Sequence, residues 1–146
     1  MAARFADPRT EARTFVPLVL AVLVRAGDFR PGWVDAFERW YPAETDLRGH
    51  DETLGRFHAV AHGADLLGDF GLRPEVAPTR MPDLAAARLT APTGHVLDQV
   101  EDDRLANAIA LVLTRAELTE GEAVGGRLSS MPAMLRSGLR RRGSGR

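Results

Sequence analysis

The longest apolar stretch of the chain, FVPLVLAVLV, runs from Phe15 to Val24 without a polar side chain. This length is about half of what a membrane-spanning helix needs, which is roughly 20 apolar residues. Other parts of the protein, rather than lipid, must therefore cover the segment. We expect a buried helix with Pro17 in its first turn and Gly27 just beyond its end, and we expect no membrane contact.

The composition supports one packed domain. The chain has 146 residues, of which 45% are hydrophobic, and no cysteine. Disulfides and thiolate metal sites are thereby excluded, and a reducing, cytoplasmic location is expected. The net charge is -1, and all 19 basic residues are arginine. This balance lacks the positive field typical of nucleic-acid-binding proteins, so no nucleic-acid partner is expected.

Apolar spacing along the chain is helical, and no segment alternates like a strand. Proline and glycine positions predict five helices, at about residues 14–26, 31–41, 56–70, 82–91 and 102–120. The expected fold is all-α, with about five to six helices arranged as antiparallel hairpins stacked in HEAT-like layers. Residues 1–12 are predicted to be a flexible segment, 13–120 the helical domain, and 121–146 a short helix and flexible basic tail.

The third predicted helix contains FHAVAHGAD, in which His58 and His62 are four residues apart and Asp65 follows three later. A helix turns about 100° per residue, so the three share one face. Two imidazoles at this spacing can chelate one divalent ion such as zinc. A zinc-peptidase mechanism is excluded, because Ala59 stands where its glutamate is needed. His58 and Asp65 are also separated by about 10.5 Å of helix rise, so a metal would need ligands from elsewhere.

The loop before this helix, ETDLRGHDE, offers several further polar side chains. They can complete a metal site, bind a polar small molecule, or tie the loop to the helix by hydrogen bonds. The sequence leaves these three alternatives open. The candidate ligand pocket consists of Glu44, Asp46, Arg48, His58, His62, Asp65 and Arg104, of which His58 and His62 are the candidate metal ligands. The carboxylates at Glu101 and Asp102 fit capping of the last long helix.

Four ordered motifs, RTFVPLVLAVLV, WYPAETDLRG, GRFHAVAHGADLL and EDDRLANAIALVLTR, span Arg13 to Leu118. In this order they resemble the DUF2785 family of bacterial proteins. The resemblance implies an α-helical, HEAT-like layered fold and no established reaction. It places the family's polar signature on Arg13, Glu44, Asp46, Arg48, Gly49, His58, His62, Gly63, Asp65, Glu101, Asp102 and Arg104.

The chain departs from that family at its amino terminus. Only twelve residues precede Arg13, whereas family members carry further helical repeats there, so the chain resembles a short form. A helical array without its first layers exposes an apolar face. We therefore expect the Phe15–Val24 helix to mediate self-association, as a homodimer, or to contact a partner protein.

Two functions follow from the candidate pocket. The first is a helical binding or scaffold module, with a polar groove between the His58, His62 and Asp65 helix face and the Glu44–Arg48 loop. Its ligand is a peptide, a protein or a small polar molecule, and no cofactor is expected. The alternative is a metal-assisted hydrolase or general acid-base enzyme that uses His58 and His62, with zinc or another divalent metal as its cofactor.

Overall fold

Over the residues that the structure describes, the chain is mostly helical. The computed structural model describes residues 1–53, 55–56, 58–97 and 100–123. Within them, a 3-10 helix at Ala2–Ala6 is followed by α1 (Thr10–Thr14), α2 (Val16–Arg25), α3 (Pro31–Trp40), β1 (His50–Asp51), β2 (Gly55–Arg56), α4 (Ala59–Gly71), α5 (Arg80–Thr90) and α6 (Glu101–Val112). The prediction of an all-α fold with about five to six helices is confirmed.

Helix α4 lies at the centre of the core. It packs against α2 and α6 and also contacts α1 and α5. Ten of its 13 residues are buried, and several of these are alanine or glycine, which lets neighbouring helices approach closely. At Gly63 a Cβ atom would overlap the Tyr41 ring, whose hydroxyl donates to the Val60 carbonyl at 2.8 Å. Glycine is therefore required where α4 meets the end of α3.

Helix α2 is buried on one side only. Its inner face, which includes Val16, Leu20 and Val24, belongs to the core. The outer face remains exposed, because the described helices pack on the inner side alone. Over the described residues, no helix is both long and apolar enough to cross a bilayer.

The first twelve residues, which were predicted to form a flexible segment, contain a 3-10 helix with one buried aromatic side chain. Phe5, in the 3-10 helix, is buried and stacks on Trp40 with ring centroids 4.8 Å apart. Arg13, in α1 just after these residues, donates to the Asp7 and Pro8 carbonyls. One aromatic anchor and one arginine therefore hold this segment against α3 and α1.

Two helix boundaries differ from the predicted ones. Helix α4 begins at Ala59 instead of near residue 56, because Gly55–Arg56 pairs with His50–Asp51 in a short antiparallel ribbon. Helix α6 ends at Val112 instead of near residue 120.

Beyond α6, Arg115 donates to three carbonyls at the end of α4 and in the connection to α5, including that of Val76 at 2.7 Å. Of the predicted short helix and basic tail at residues 121–146, the part from residue 124 onward lies outside the described residues.

Candidate functional site

Glu44 is the most highly coordinated side chain of the predicted pocket. Its carboxylate is buried and accepts hydrogen bonds from Arg13 Nε and Nη2, from Trp40 Nε1, and from the amides of Thr45 and Asp46. Burial alone raises its pKa, but these hydrogen bonds outweigh that effect and hold the pKa of Glu44 below its ordinary value. With its acceptor positions occupied, Glu44 stabilises the loop after α3.

Asp46 and Arg48 pair with each other within the same loop. Arg48 donates to both carboxylate oxygens of Asp46 at 2.8 Å and to Asp51 at 2.9 Å. The hydrogen bond from Arg48 is the main cause of the lowered pKa of Asp46. Through Asp51, the Arg48 contacts join the loop to strand β1.

His62 is anchored to α1 through its backbone. Its Nδ1 donates to the Thr14 carbonyl at 3.0 Å, and its ring lies 5.3 Å from the Phe15 ring. A carbonyl can only accept, so Nδ1 carries the proton in this contact. Burial lowers the pKa of His62, the hydrogen bond to Thr14 partly opposes that shift, and the nearby His58 adds to it. The neutral ring therefore leaves Nε2 as its basic nitrogen.

His58 immediately precedes α4 and pairs with the first residue of α6. Its Nδ1 lies 3.4 Å from Oε1 of Glu101, a carboxylate with no solvent exposure. The His58 and His62 rings face each other edge-on, with centroids 6.2 Å apart. In the described contacts each ring uses Nδ1, which is the arrangement that orients Nε2 of a histidine toward a metal or a substrate.

Farther along α4, a cleft opens between α2, α4 and α6. Its volume is about 330 Å³, and its lining residues are Arg25, Ala64, Asp65, Gly68, Asp69, Arg104, Asn107, Ala108 and Leu111. Two ion pairs border it: Arg104 donates to Asp65 at 2.8 Å, and Arg25 donates to Asp69 at 2.9 Å. Burial raises the pKa of Asp69, an effect that Arg25 opposes in part.

The structure thus divides the predicted pocket. Asp65 and Arg104 meet directly, whereas Glu44 and Asp46 bond to α1 and to their own loop. Helix α1 contacts both the loop after α3 and helix α4. Arg13 donates to Glu44 in the loop, and the Thr14 carbonyl accepts the hydrogen bond from His62 on α4. Across the described stretches of chain, no three His, Cys, Asp or Glu side chains are arranged to hold a metal ion.

Three polar residues with defined roles were not among the predicted site residues. Arg88 is buried and donates from Nη1 to the carbonyls of Tyr41, Pro42 and Glu44. Arg25 and Asp69 form one side of the cleft. Asp69 falls on the predicted polar face of α4, one turn after Asp65, and that spacing is the signal for it. The sequence holds no comparable signal for the two arginines, because their partners come from distant elements.

The comparisons with known proteins identify a family without adding an activity. No curated protein and no solved structure matches the chain. The model of one family, described as a protein of unknown function, matches residues 6–134. The match runs from the 3-10 helix through α6 and beyond, which is most of the chain. The protein therefore belongs to the DUF2785 family.

Proposed function

We propose that this chain is a helical binding module, built of HEAT-like layers, that holds a polypeptide segment along the polar face of α4. The ligand lies in the cleft between α2, α4 and α6, and the groove continues toward His62 and His58. The Glu44–Arg48 loop supports the groove through its contacts with α1. A cytoplasmic location is part of the proposal and accords with the absence of cysteine.

The small residues that line the cleft carry the proposal. Ala64 and Gly68 lie one turn apart on α4, and Ala108 faces Gly68 from α6. Side chains this short leave the cleft open where two helices cross, and apolar atoms form its floor. A concave apolar floor with a few convergent polar groups is the usual form of a binding site.

The polar groups of the cleft favour a neutral, hydrogen-bonding ligand. Two arginines, two aspartates and Asn107 line it, so its formal charge is balanced. The Arg25 and Arg104 side chains are 62% and 49% exposed, which keeps guanidinium N–H groups accessible. An extended peptide backbone offers alternating acceptors and donors that match this set.

The test starts from a random peptide library displayed on phage and selected on the wild-type protein. Enriched sequences are then synthesised, and their binding to wild type and variants is measured by fluorescence anisotropy. We expect Arg104→Gln and Asp65→Asn each to weaken binding by about tenfold, which corresponds to the loss of one hydrogen bond to a charged group.

The matched control is Arg9→Gln, which removes an exposed arginine whose partner is Asp7, away from the cleft. This variant should bind the selected peptides like wild type. The proposal is overturned if no peptide is enriched. It is equally overturned if the enriched peptides bind all four proteins alike.

A second function is favoured by one observation, the anchoring of both histidines through Nδ1. This arrangement suits a divalent metal such as zinc bound by His58 and His62, with hydrolytic or acid-base chemistry, if a substrate or water completes the coordination. Its test is a zinc titration of wild type beside the His58→Ala/His62→Ala double variant. Stoichiometric binding that the double variant loses supports this function, and equal binding by both proteins excludes it.

A further inference from the structure

The outer face of α2 presents a continuous apolar stripe. Phe15, Leu18, Val19 and Val22 are 41%, 37%, 38% and 58% exposed. They lie along one side of a helix whose opposite side is in the core. Adjacent exposed apolar residues of this kind, unlike scattered ones, mark a surface that another protein covers.

Charged residues of opposite sign stand at the two ends of the stripe. Along α2, Phe15, Leu18, Val22 and Arg25 follow a spacing of three, four and three residues, and Glu11 lies in α1, four residues before Phe15. This is the repeat of the seam in a two-helix coiled coil. The Arg25 side chain is 62% exposed while its Nε binds Asp69, so its guanidinium has further N–H groups to offer.

We propose that this stripe is the interface of a homodimer in which two copies of α2 pack antiparallel across a twofold axis. The axis passes between Leu18 and Val19, because Phe15 and Val22 are equally far from that point along the chain. In this arrangement Phe15 of each copy packs on Val22 of the other, and Glu11 of each meets Arg25 of the other. A parallel arrangement would instead place Glu11 against Glu11.

The size of the stripe sets the expected strength of the dimer. Four partly exposed side chains cover far less than the roughly 800 Å² per partner that stable complexes bury. The dimer is therefore weak and reversible, with opposite charges at its ends selecting the antiparallel orientation. Sedimentation velocity of the full chain should show an average mass that rises from monomer toward dimer between about 10 and 500 μM.

The natural absence of cysteine makes the register directly testable. Leu18→Cys places two thiols at the axis, and we expect an intermolecular disulfide under mild oxidation. Phe15→Cys and Val22→Cys should each crosslink poorly alone, since antiparallel copies separate identical positions by seven residues, or about 10 Å of helix. A mixture of the Phe15→Cys and Val22→Cys proteins should crosslink well.

Two further variants serve as controls. One distinguishes crosslinking at the interface from crosslinking by random collision, and the other distinguishes loss of the dimer from misfolding. Val96→Cys carries a thiol at a position that is 74% exposed and off the stripe, and it should crosslink poorly. Val22→Glu should remain monomeric while its circular dichroism and melting temperature stay close to wild type. A wild-type chain that stays monomeric at 500 μM overturns the proposal, as does self-crosslinking at Phe15→Cys that equals that at Leu18→Cys.

Discussion

Arg13 and Glu44, which are 31 residues apart in sequence, form a two-point ion pair that ties α1 to the loop after α3. The Arg13 side chain is 18% exposed and that of Glu44 only 2%. Trp40 donates to the same carboxylate at 2.8 Å. Because five hydrogen bonds converge on the Glu44 carboxylate, the pair belongs to the scaffold that holds α1 beside α4.

Replacing Glu44 should therefore be costly. Glu44→Gln leaves the Arg13 guanidinium without its counter-charge, and we expect a loss of about 3 kcal/mol in the free energy of unfolding, as for other broken buried pairs. Urea denaturation at neutral pH measures it. The control is Glu75→Gln, which removes an exposed carboxylate paired with Arg73 and should change little. Equal behaviour of the two variants would contradict the assigned role of Glu44.

The lowered pKa of His62 predicts a loss of stability in mild acid. In the unfolded chain the ring titrates near the ordinary histidine pKa of 6.5, and in the folded chain it resists protonation to a lower pH. The unfolded state therefore binds more protons as the pH falls below that value, and stability decreases until the folded-state pKa is passed. Denaturant unfolding of wild type at pH 8, 6.5 and 5.5 measures this slope.

His62→Gln should flatten the slope and also lower stability at pH 8. The second effect, about 1 kcal/mol, depends on how well the amide replaces the hydrogen bond to Thr14. His50→Gln is the control, since His50 is exposed on β1. An unchanged slope in His62→Gln would show that other groups cause the acid sensitivity.

Glycines one turn and a half apart on α4 should respond in opposite directions to the same change. Gly63→Ala forces a methyl group into the Tyr41 ring, and we expect a loss of at least about 2 kcal/mol in stability. At Gly68 the added Cβ would lie 3.6 Å from Leu111, an ordinary contact, so Gly68→Ala should gain up to about 1 kcal/mol from helix propensity. Thermal denaturation of both variants measures these changes in stability. A Gly63→Ala protein as stable as wild type would contradict the close approach of Tyr41.

Arg88 should prove essential to the junction of α3 and α5. Arg88→Met keeps much of the side-chain volume but removes the donor shared by three carbonyls at the end of α3. We expect a loss of about 2 kcal/mol in the free energy of unfolding, because buried acceptors are left unpaired. Arg30→Met, at an arginine whose side chain is 68% exposed, is the matched control. Similar urea midpoints for the two variants would refute the capping role of Arg88.

The positions of the helices were largely readable from local signals. Pro31 begins α3, and helix-period spacing places Trp33, Phe37 and Trp40 on its buried face. The shared face of His62 and Asp65 on α4 followed from the same periodicity. These features depend on residues within a few turns of one another, and such residues carry the information in their spacing.

Which polar groups meet was decided by the tertiary structure. Glu44 and His62 were predicted to share one groove, yet each binds α1 instead, at Arg13 and at the Thr14 carbonyl. Nothing in the local sequence marks Thr14 as a partner of a residue 48 positions away. A hydrogen bond between distant segments depends on how whole helices pack, and packing is a property of the complete core.

The sequence by itself therefore determined the helical class, the apolar face of each main helix and the polar face of α4, because these follow from periodicity and from proline and glycine. Only the tertiary structure decided that Glu44 is enclosed by its partners, that a cleft opens above Gly68 and Ala108, and which side of α2 is the exposed one. Burial and pairing depend on neighbours that approach from distant parts of the chain, which no local pattern specifies.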